Sequence, residues 1–346
     1  MKRDEQVSAR RSSAWRIGGW AASALALLAS LGASCSAHKE DASGTTTGGT
    51  AGATTTTSST ATGVTGTTGG TLDTLGFAIV GDTRPPNEDD TSVYPTAVIT
   101  KIWQEVQATS PRPPFAVSTG DYMFANITGT QQEPQMALYL GARAAYSGVT
   151  FAAMGNHECT GADASNCGTG NKNAITPNYT TFLTKMLNPI GITLPYYTVN
   201  VSSAKAGAWT AKLVFIAANA WDATQSAWLD AEMAKPTTYT FVVRHEGKSS
   251  DDPQNPIPGI APSEAIIAKY PWTVKLVGHT HTYEFRDADR EIVVGNGGAP
   301  LSGSPNYGYV IATQRADGNM VFNSIDYSDG TSIQTIVITP TGTVTN

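Results

Sequence analysis

Five short, largely apolar runs in this 346-residue chain each end abruptly on aspartate, asparagine or histidine, and no other feature constrains the fold as strongly. Residues 77–80 lead into Gly81-Asp82-Thr83-Arg84, and residues 115–119 into Gly120-Asp121. Residues 151–154 lead into Gly155-Asn156-His157-Glu158, 241–244 into His245, and 274–277 into Gly278-His279-Thr280-His281. Short apolar runs bounded by glycine read as buried strands. In layered α/β folds the carboxyl ends of such strands form the edge where sites assemble. Glycine at these points lets the chain turn sharply and lets backbone approach a ligand. Four of the five histidines lie in these turns, the fifth being His38 near the N terminus. One histidine after a strand is ordinarily a packed or surface residue. Four of them, with two aspartates and an asparagine at equivalent strand ends, call for a chemical explanation.

The stretches between these runs have helical period. Residues 95–108 place Val98, Ile102 and Val106 on one face, and 224–234 form a second candidate helix. Alternating strands and helices predict α/β layering. Late strands at 309–311, 320–326 and 333–339, separated by Asp317-Gly318 and Asp329-Gly330, read as an antiparallel meander.

Imidazole and carboxylate together suit Zn, Fe or Mn, and the turns contain no cysteine, which argues against a closed structural zinc site. Two aspartates, an asparagine and three or four histidines are too many for one four-coordinate ion. They suit two ions sharing a carboxylate.

The N-terminal region reads as an address. Lys2, Arg3, Arg10, Arg11 and Arg16 precede an apolar run at 17–33 that closes in small residues around Cys35. This is the three-part pattern of a secretory signal, assigned to residues 1–35. A retained transmembrane anchor is the alternative, although the run is near the lower limit for a span. Leu31-Gly32-Ala33-Ser34-Cys35 resembles a bacterial lipoprotein signal, with the aliphatic residue one place further from the cysteine than usual. Secretion without lipid is the other option. Residues 36–71 are read as a tether, because 42–71 is almost pure Thr, Gly, Ala and Ser with a single Val64. The third region, 72–346, is expected to form the folded domain that carries the strand-end turns.

Cys159 and Cys167 remain if Cys35 is lipidated. In an oxidising compartment they are expected to pair, adding roughly 2–3 kcal/mol by closing a short loop. Free thiols or soft metal ligands are the alternatives. Net charge is −6, with +2 on residues 1–41 and none on 42–71, leaving −8 on 72–346. That balance excludes a broadly basic, sequence-blind nucleic-acid binder.

The ordered set Gly-Asp, Gly-Asp, Gly-Asn-His-Glu, His and Gly-His-Thr-His resembles the calcineurin-like metallophosphoesterase superfamily, which includes the purple acid phosphatases. The resemblance runs from about residue 75 to the C terminus, and the Gly-Asn-His-Glu and Gly-His-Thr-His blocks are its specific parts. Further similarity lies in Gln225-Ser226-Ala227-Trp228-Leu229, Tyr283-Glu284 and the segment 295–300. The resemblance implies a four-layer α/β/β/α sandwich of two mixed sheets flanked by helices. It implies two divalent or trivalent ions (Fe, Zn or Mn), with Asp121 bridging them. Asn156, His245 and His279 would complete one ion, and Asp82 and His281 the other. His157 would act at the leaving-group oxygen, with Glu158 either orienting it or serving structure alone. The implied reaction is phosphate-ester hydrolysis with metal-bound hydroxide as nucleophile, on a small phosphorylated substrate, as a phosphomonoesterase in preference to a phosphodiesterase. A decayed, non-catalytic metal- or phosphate-binding surface module is the reading from another class. No nucleic-acid partner is implied, membrane contact is by lipid anchor only, and no oligomeric state follows.

Two departures matter. The superfamily usually has histidine two residues after the first aspartate, where this chain has Arg84. Purple acid phosphatases instead supply a tyrosine three residues after the second aspartate, where this chain has Phe124. Tyr122 is a poor substitute, because adjacent side chains diverge on extended backbone. The Asp82/His281 ion therefore has three protein ligands where four are usual, and weaker binding is expected. Arg84, a permanent cation with a planar fork, suits recognition of phosphate oxygens. Pairing with Glu88, Asp89 or Asp90 is its alternative.

Overall fold

The computed structural model describes residues 63–65 and 69–345. In chain order the elements begin with β1 (Gly63–Thr65), β2 (Gly69–Leu72), β3 (Gly76–Val80), α1 (Thr96–Ala108), β4 (Phe115–Ser118), α2 (Gln132–Arg143) and β5 (Val149–Ala152). The middle of the chain adds α3 (Pro177–Phe182), β6 (Tyr197–Ser203), β7 (Thr210–Ile216), α4 (Ala223–Met233), β8 (Tyr239–Arg244), α5 (Ile260–Ile267) and β9 (Val274–Val277). It ends with β10 (Tyr283–Arg286), β11 (Glu291–Val294), β12 (Gly308–Gln314), β13 (Met320–Asp326), β14 (Ser332–Ile338) and β15 (Val344–Thr345).

Among the described residues these strands form two mixed sheets. One has eight strands in the order β1-β2-β6-β7-β8-β9-β11-β10, the other seven in the order β15-β14-β13-β12-β3-β4-β5. Period-two alternation decides which face of each strand meets which layer. Leu213 and Phe215 of β7 and Phe241 and Val243 of β8 join the main core. Their neighbours Val214, Ile216 and Val242 point the other way and pack on Leu229 and Met233 of α4 and Ile266 and Ile267 of α5. The main core lies between the sheets, where Phe241 meets Phe77 of β3 edge-on at 5.2 Å between ring centroids. On the far side α1 packs against α2, burying Ile99, Ile102, Trp103 and Val106. The two helices expected from sequence, at 95–108 and 224–234, are α1 and α4 to within a residue, and β12, β13 and β14 pair as the predicted antiparallel meander. The α/β/β/α arrangement holds.

The tether assigned through residue 71 is corrected at its end. Gly63–Thr65 and Gly69–Leu72 are strands, and β2 runs parallel to β6 with Gly69 opposite Asn200 and Leu72 opposite Ser203. A composition without apolar period did not reveal this, because strand pairing uses backbone amides and carbonyls that every residue type carries. The signal assigned to 1–35, the lipidation at Cys35 and the rest of the tether lie outside the described residues. No helix among the described residues is long and apolar enough to cross a membrane.

Adjacent parallel strands β3, β4 and β5 deliver their carboxyl ends to one edge. Adjacent parallel strands β8 and β9 deliver theirs from the other sheet. Crosslinks bind the two edges: Thr119 Oγ1 donates to Val294 O at 2.9 Å, and the Gly297 and Ala299 amides donate to Gly81 O and Asp82 O at 2.9 and 2.8 Å.

Candidate metal centre

Every one of the five strand-end turns meets at this edge. Four of the expected ligands sit in left-handed backbone: Asp82 at φ 55°, Asp121 at 60°, His279 at 71° and His281 at 48°. Non-glycine residues seldom adopt that region, and strain held by the surrounding structure is a mark of functional sites. The turn glycines are there for space. A Cβ on Gly278 would fall 2.2 Å from Asp82 Oδ2, and one on Gly155 would fall 2.3 Å from Asp121 Oδ1.

Backbone groups aim the ligands. The His279 amide donates to both Asp82 oxygens, at 2.9 and 3.1 Å. His245 donates from Nδ1 to Thr119 O at 2.8 Å, and His281 from Nδ1 to Pro300 O at 2.9 Å, which leaves each Nε2 facing the centre. A carbonyl that fixes the imidazole tautomer in this way is the usual support for a metal-binding histidine. His245 Nε2 then lies 3.2 Å from Asp121 Oδ1 and 3.3 Å from His279 Nδ1, while His281 Nε2 lies 3.6 Å from Asp82 Oδ1. Asn156 donates from Nδ2 to Gly161 O at 2.9 Å, and its Oδ1 is buried without a partner. Ligand atoms of Asp82, Asp121 and His245 fall within 4.8 Å of one another, as do those of His245, Glu246 and His279.

The electrostatics describe a place that wants positive charge. Burial opposes the charged ring of His245, yet the carboxylates of Asp121 and Asp82 outweigh it and hold its pKa well above the usual imidazole value. Burial likewise opposes ionisation of Asp121, but His245, His157 and Arg84 pull its pKa well below the carboxylate range. Asp82, buried beside a charged Asp121, is pushed up. Burial and His245 push His279 down to about 3, so its ring is neutral and able to donate an electron pair. An orphaned amide oxygen, converging ring nitrogens and paired carboxylates fit hard or borderline cations with nitrogen and oxygen ligands.

The remaining expectations resolve as follows. Glu158 accepts from the amides of Asp121, Tyr122 and Gly155 at 2.9, 2.8 and 2.8 Å, so it shapes the turn that presents Asp121 and does not orient the His157 ring. Burial and the Asp121 charge push it up to about 7. Tyr122 faces the core, its hydroxyl donating to Ala153 O at 3.1 Å, and is no substitute ligand. His157 lies 3.9 Å from Asp121 Oδ2 and meets the Phe124 ring edge-on, while burial pushes its pKa down to about 4. Arg84 does not pair with Glu88, Asp89 or Asp90. Its guanidinium lies over the other residue of interest, Phe124, 4.8 Å from the ring centroid, with Nε 3.6 Å from Asp121 Oδ2.

Sequence reasoning missed three members. Phe124, noted only as an absent tyrosine, is the wall that seats both Arg84 and His157. Asp163 lies in the loop closed by the Cys159–Cys167 disulfide, with Oδ1 3.8 Å from His279 Nε2. Glu246 directly follows His245, and an acid beside a turn histidine was the available signal. The disulfide itself is as expected and closes the alternatives of free thiols or thiolate ligands.

No protein-family model matches the sequence, and no curated protein matches it. Solved structures do. A purple acid phosphatase from yellow lupin (Lupinus luteus) seeds superposes with TM-score 0.51 at 17% identity, covering 80% of this chain and 55% of that one. A candidate 5'-nucleotidase from Staphylococcus aureus gives 0.40 at 14% identity, covering 78% of this chain and 55% of that one. The chain thus spans little more than half the length of either. The lupin enzyme shares the fold.

Proposed function

We propose that this chain hydrolyses phosphate esters with a dinuclear metal centre, and that its preferred substrates are small phosphomonoesters. One observation carries the reading: the turns that hold Asp82, Asp121, Asn156, His245, His279 and His281, spread over 200 positions of sequence, gather in one place, with ligand atoms of Asp82, Asp121 and His245 within 4.8 Å of one another. Asp121 would be shared, Asn156, His245 and His279 would hold one ion, and Asp82 and His281 the other, with Fe, Zn and Mn all compatible with this donor set. Two such ions, when bound, supply charge to the phosphoryl oxygens and lower the pKa of water for in-line attack.

The chain's own groups do the rest. Arg84, seated on Phe124, offers a planar pair of N–H donors to phosphoryl oxygens, and its buried Nε has no hydrogen-bond partner. His157 is neutral above about pH 4 and so offers the departing oxygen an N–H hydrogen bond. Both rings and the guanidinium are fixed before substrate arrives, which is the condition for electrostatic stabilisation without reorganisation. Arg84→Ala should lower kcat/KM for an aryl phosphate by roughly 10–100-fold, the equivalent of a charged hydrogen bond worth about 1.5–3 kcal/mol. Arg84→Lys should recover little of this, since a point charge cannot reproduce the fork. Wild-type kinetics in Arg84→Ala would remove it from the site.

A second reading, a metal- and phosphate-binding surface module without turnover, is favoured by Arg84 standing where a ligand histidine is usual. An aryl phosphate and its methyl diester, each assayed with Mn, Zn, Fe or Mg, separate the possibilities. Phenol release from the monoester well above the diester is expected. The reverse preference would make it a phosphodiesterase, and no release from protein with bound metal would leave the module. Export completes the proposal, with a lipid anchor at Cys35 as the membrane contact; the Cys159–Cys167 disulfide supports an oxidising compartment.

A further inference from the structure

Glu246 is a carboxylate at this edge that no motif accounts for. It is fully buried, and neither side-chain oxygen has a hydrogen-bond partner. Removing a carboxylate from water without a partner is among the most costly things a fold can do. The buried arginine and lysine of the neighbouring strands β8 and β9 are already engaged. Arg244 donates to Glu264 at 2.8 Å and to Ser263 at 2.7 Å, and Lys275 sits 2.8 Å from Glu264 and 3.0 Å from Glu291. Arg244 also fixes the Glu246 backbone, donating from Nε to its carbonyl at 2.7 Å, which leaves the side chain as the free part of the residue. One of its oxygens groups with ring nitrogens of His245 and His279 within 4.8 Å.

We propose that Glu246 is a further metal ligand, belonging to the ion held by Asn156, His245 and His279. The proposal rests on the metal-centre reading above and deepens it. The ion shared with Asp82 and His281 gains no such acid and has Arg84 beside the common carboxylate Asp121. The two positions are therefore unequal: one ion is held tightly by two carboxylates, two imidazoles and an amide, and the other binds weakly and exchanges.

The test is calorimetric titration of Mn2+ into chelator-treated full-length protein, with thermal unfolding recorded with and without metal. Wild type should show a tight and a weak step. Glu246→Gln should weaken the tight step by about 100-fold, the upper end of what loss of an outer-shell partner costs. It should also lose most of the metal-induced rise in Tm while unfolding no lower than wild type without metal. Asp82→Asn should weaken the weak step alone. If the amide variant does not fold, Glu246→Asp serves, with a loss of at least about tenfold in the tight step expected for a shortened ligand. An unchanged tight step in the Gln variant, or in the Asp variant where that one is used, would overturn the assignment while leaving phosphate-ester hydrolysis intact. A weakened tight step on substitution, in a protein that hydrolyses no ester, would do the opposite. No metal binding by wild type would end both.

Discussion

Asp121→Ala is expected to empty both metal positions, reducing elemental content from about two ions per chain to near zero under mild chelation. The expectation follows from where the two oxygens point. Oδ1 lies 3.2 Å from His245 Nε2, which itself stands 3.3 Å from His279 Nδ1, while Oδ2 lies 3.6 Å from Arg84 Nε and 3.9 Å from His157 Nε2. Asp82, the other acid grouped with Asp121 and His245, is held by the His279 amide and faces His281. Substitution has a second effect. The same acid neutralises the charge gathered by Arg84 and His245, so its loss brings two cationic groups into mutual repulsion around the vacated space. Asp121→Asn, which keeps the volume, separates loss of charge from loss of packing. Two ions still bound in either variant would contradict the shared role.

His157→Ala should give the complementary result, with metal content unchanged and turnover of an aryl phosphate reduced by roughly 10²–10⁴-fold. The backbone at this position is fixed independently of the ring: Asn178 Nδ2 donates to His157 O at 3.0 Å, and the His157 amide reaches Asp121 Oδ1 at 3.3 Å. Truncation therefore removes the imidazole without releasing the turn. Because the group stabilises charge on the departing oxygen, the loss should grow as the leaving phenol becomes less acidic. A rate equal to wild type across a leaving-group series would take His157 out of the chemistry.

The site was readable to a large degree because its parts are local. Glycine followed by a ligand at the end of an apolar run fixes both the turn and the direction of the side chain, so Asp82, Asp121, Asn156, His279 and His281 could be named one by one. The Cys159–Cys167 pair was readable for the same reason. Phe124, Asp163 and Glu246 were not, and Arg84 was named without its direction, since each owes its place to a neighbour distant in sequence. Arg84 turned toward Asp121 and not toward the acids of its own loop because Phe124 offers a flat face at 4.8 Å, where an exposed ion pair would bring little. Tyr122 went inward because its ring packs on Tyr139 and Phe182.

Sequence by itself pointed to the layering, the meander and the disulfide, since strand period, turn chemistry and residue type act over a few positions, and its turn motifs carried the resemblance that names six candidate ligands. Tertiary structure alone decided where the guanidinium turns, that residues 69–72 close onto β6, and that neither buried oxygen of Glu246 finds a hydrogen-bond partner. Those outcomes depend on desolvation and on charges brought together by packing two sheets, energies that exist only once the chain has folded.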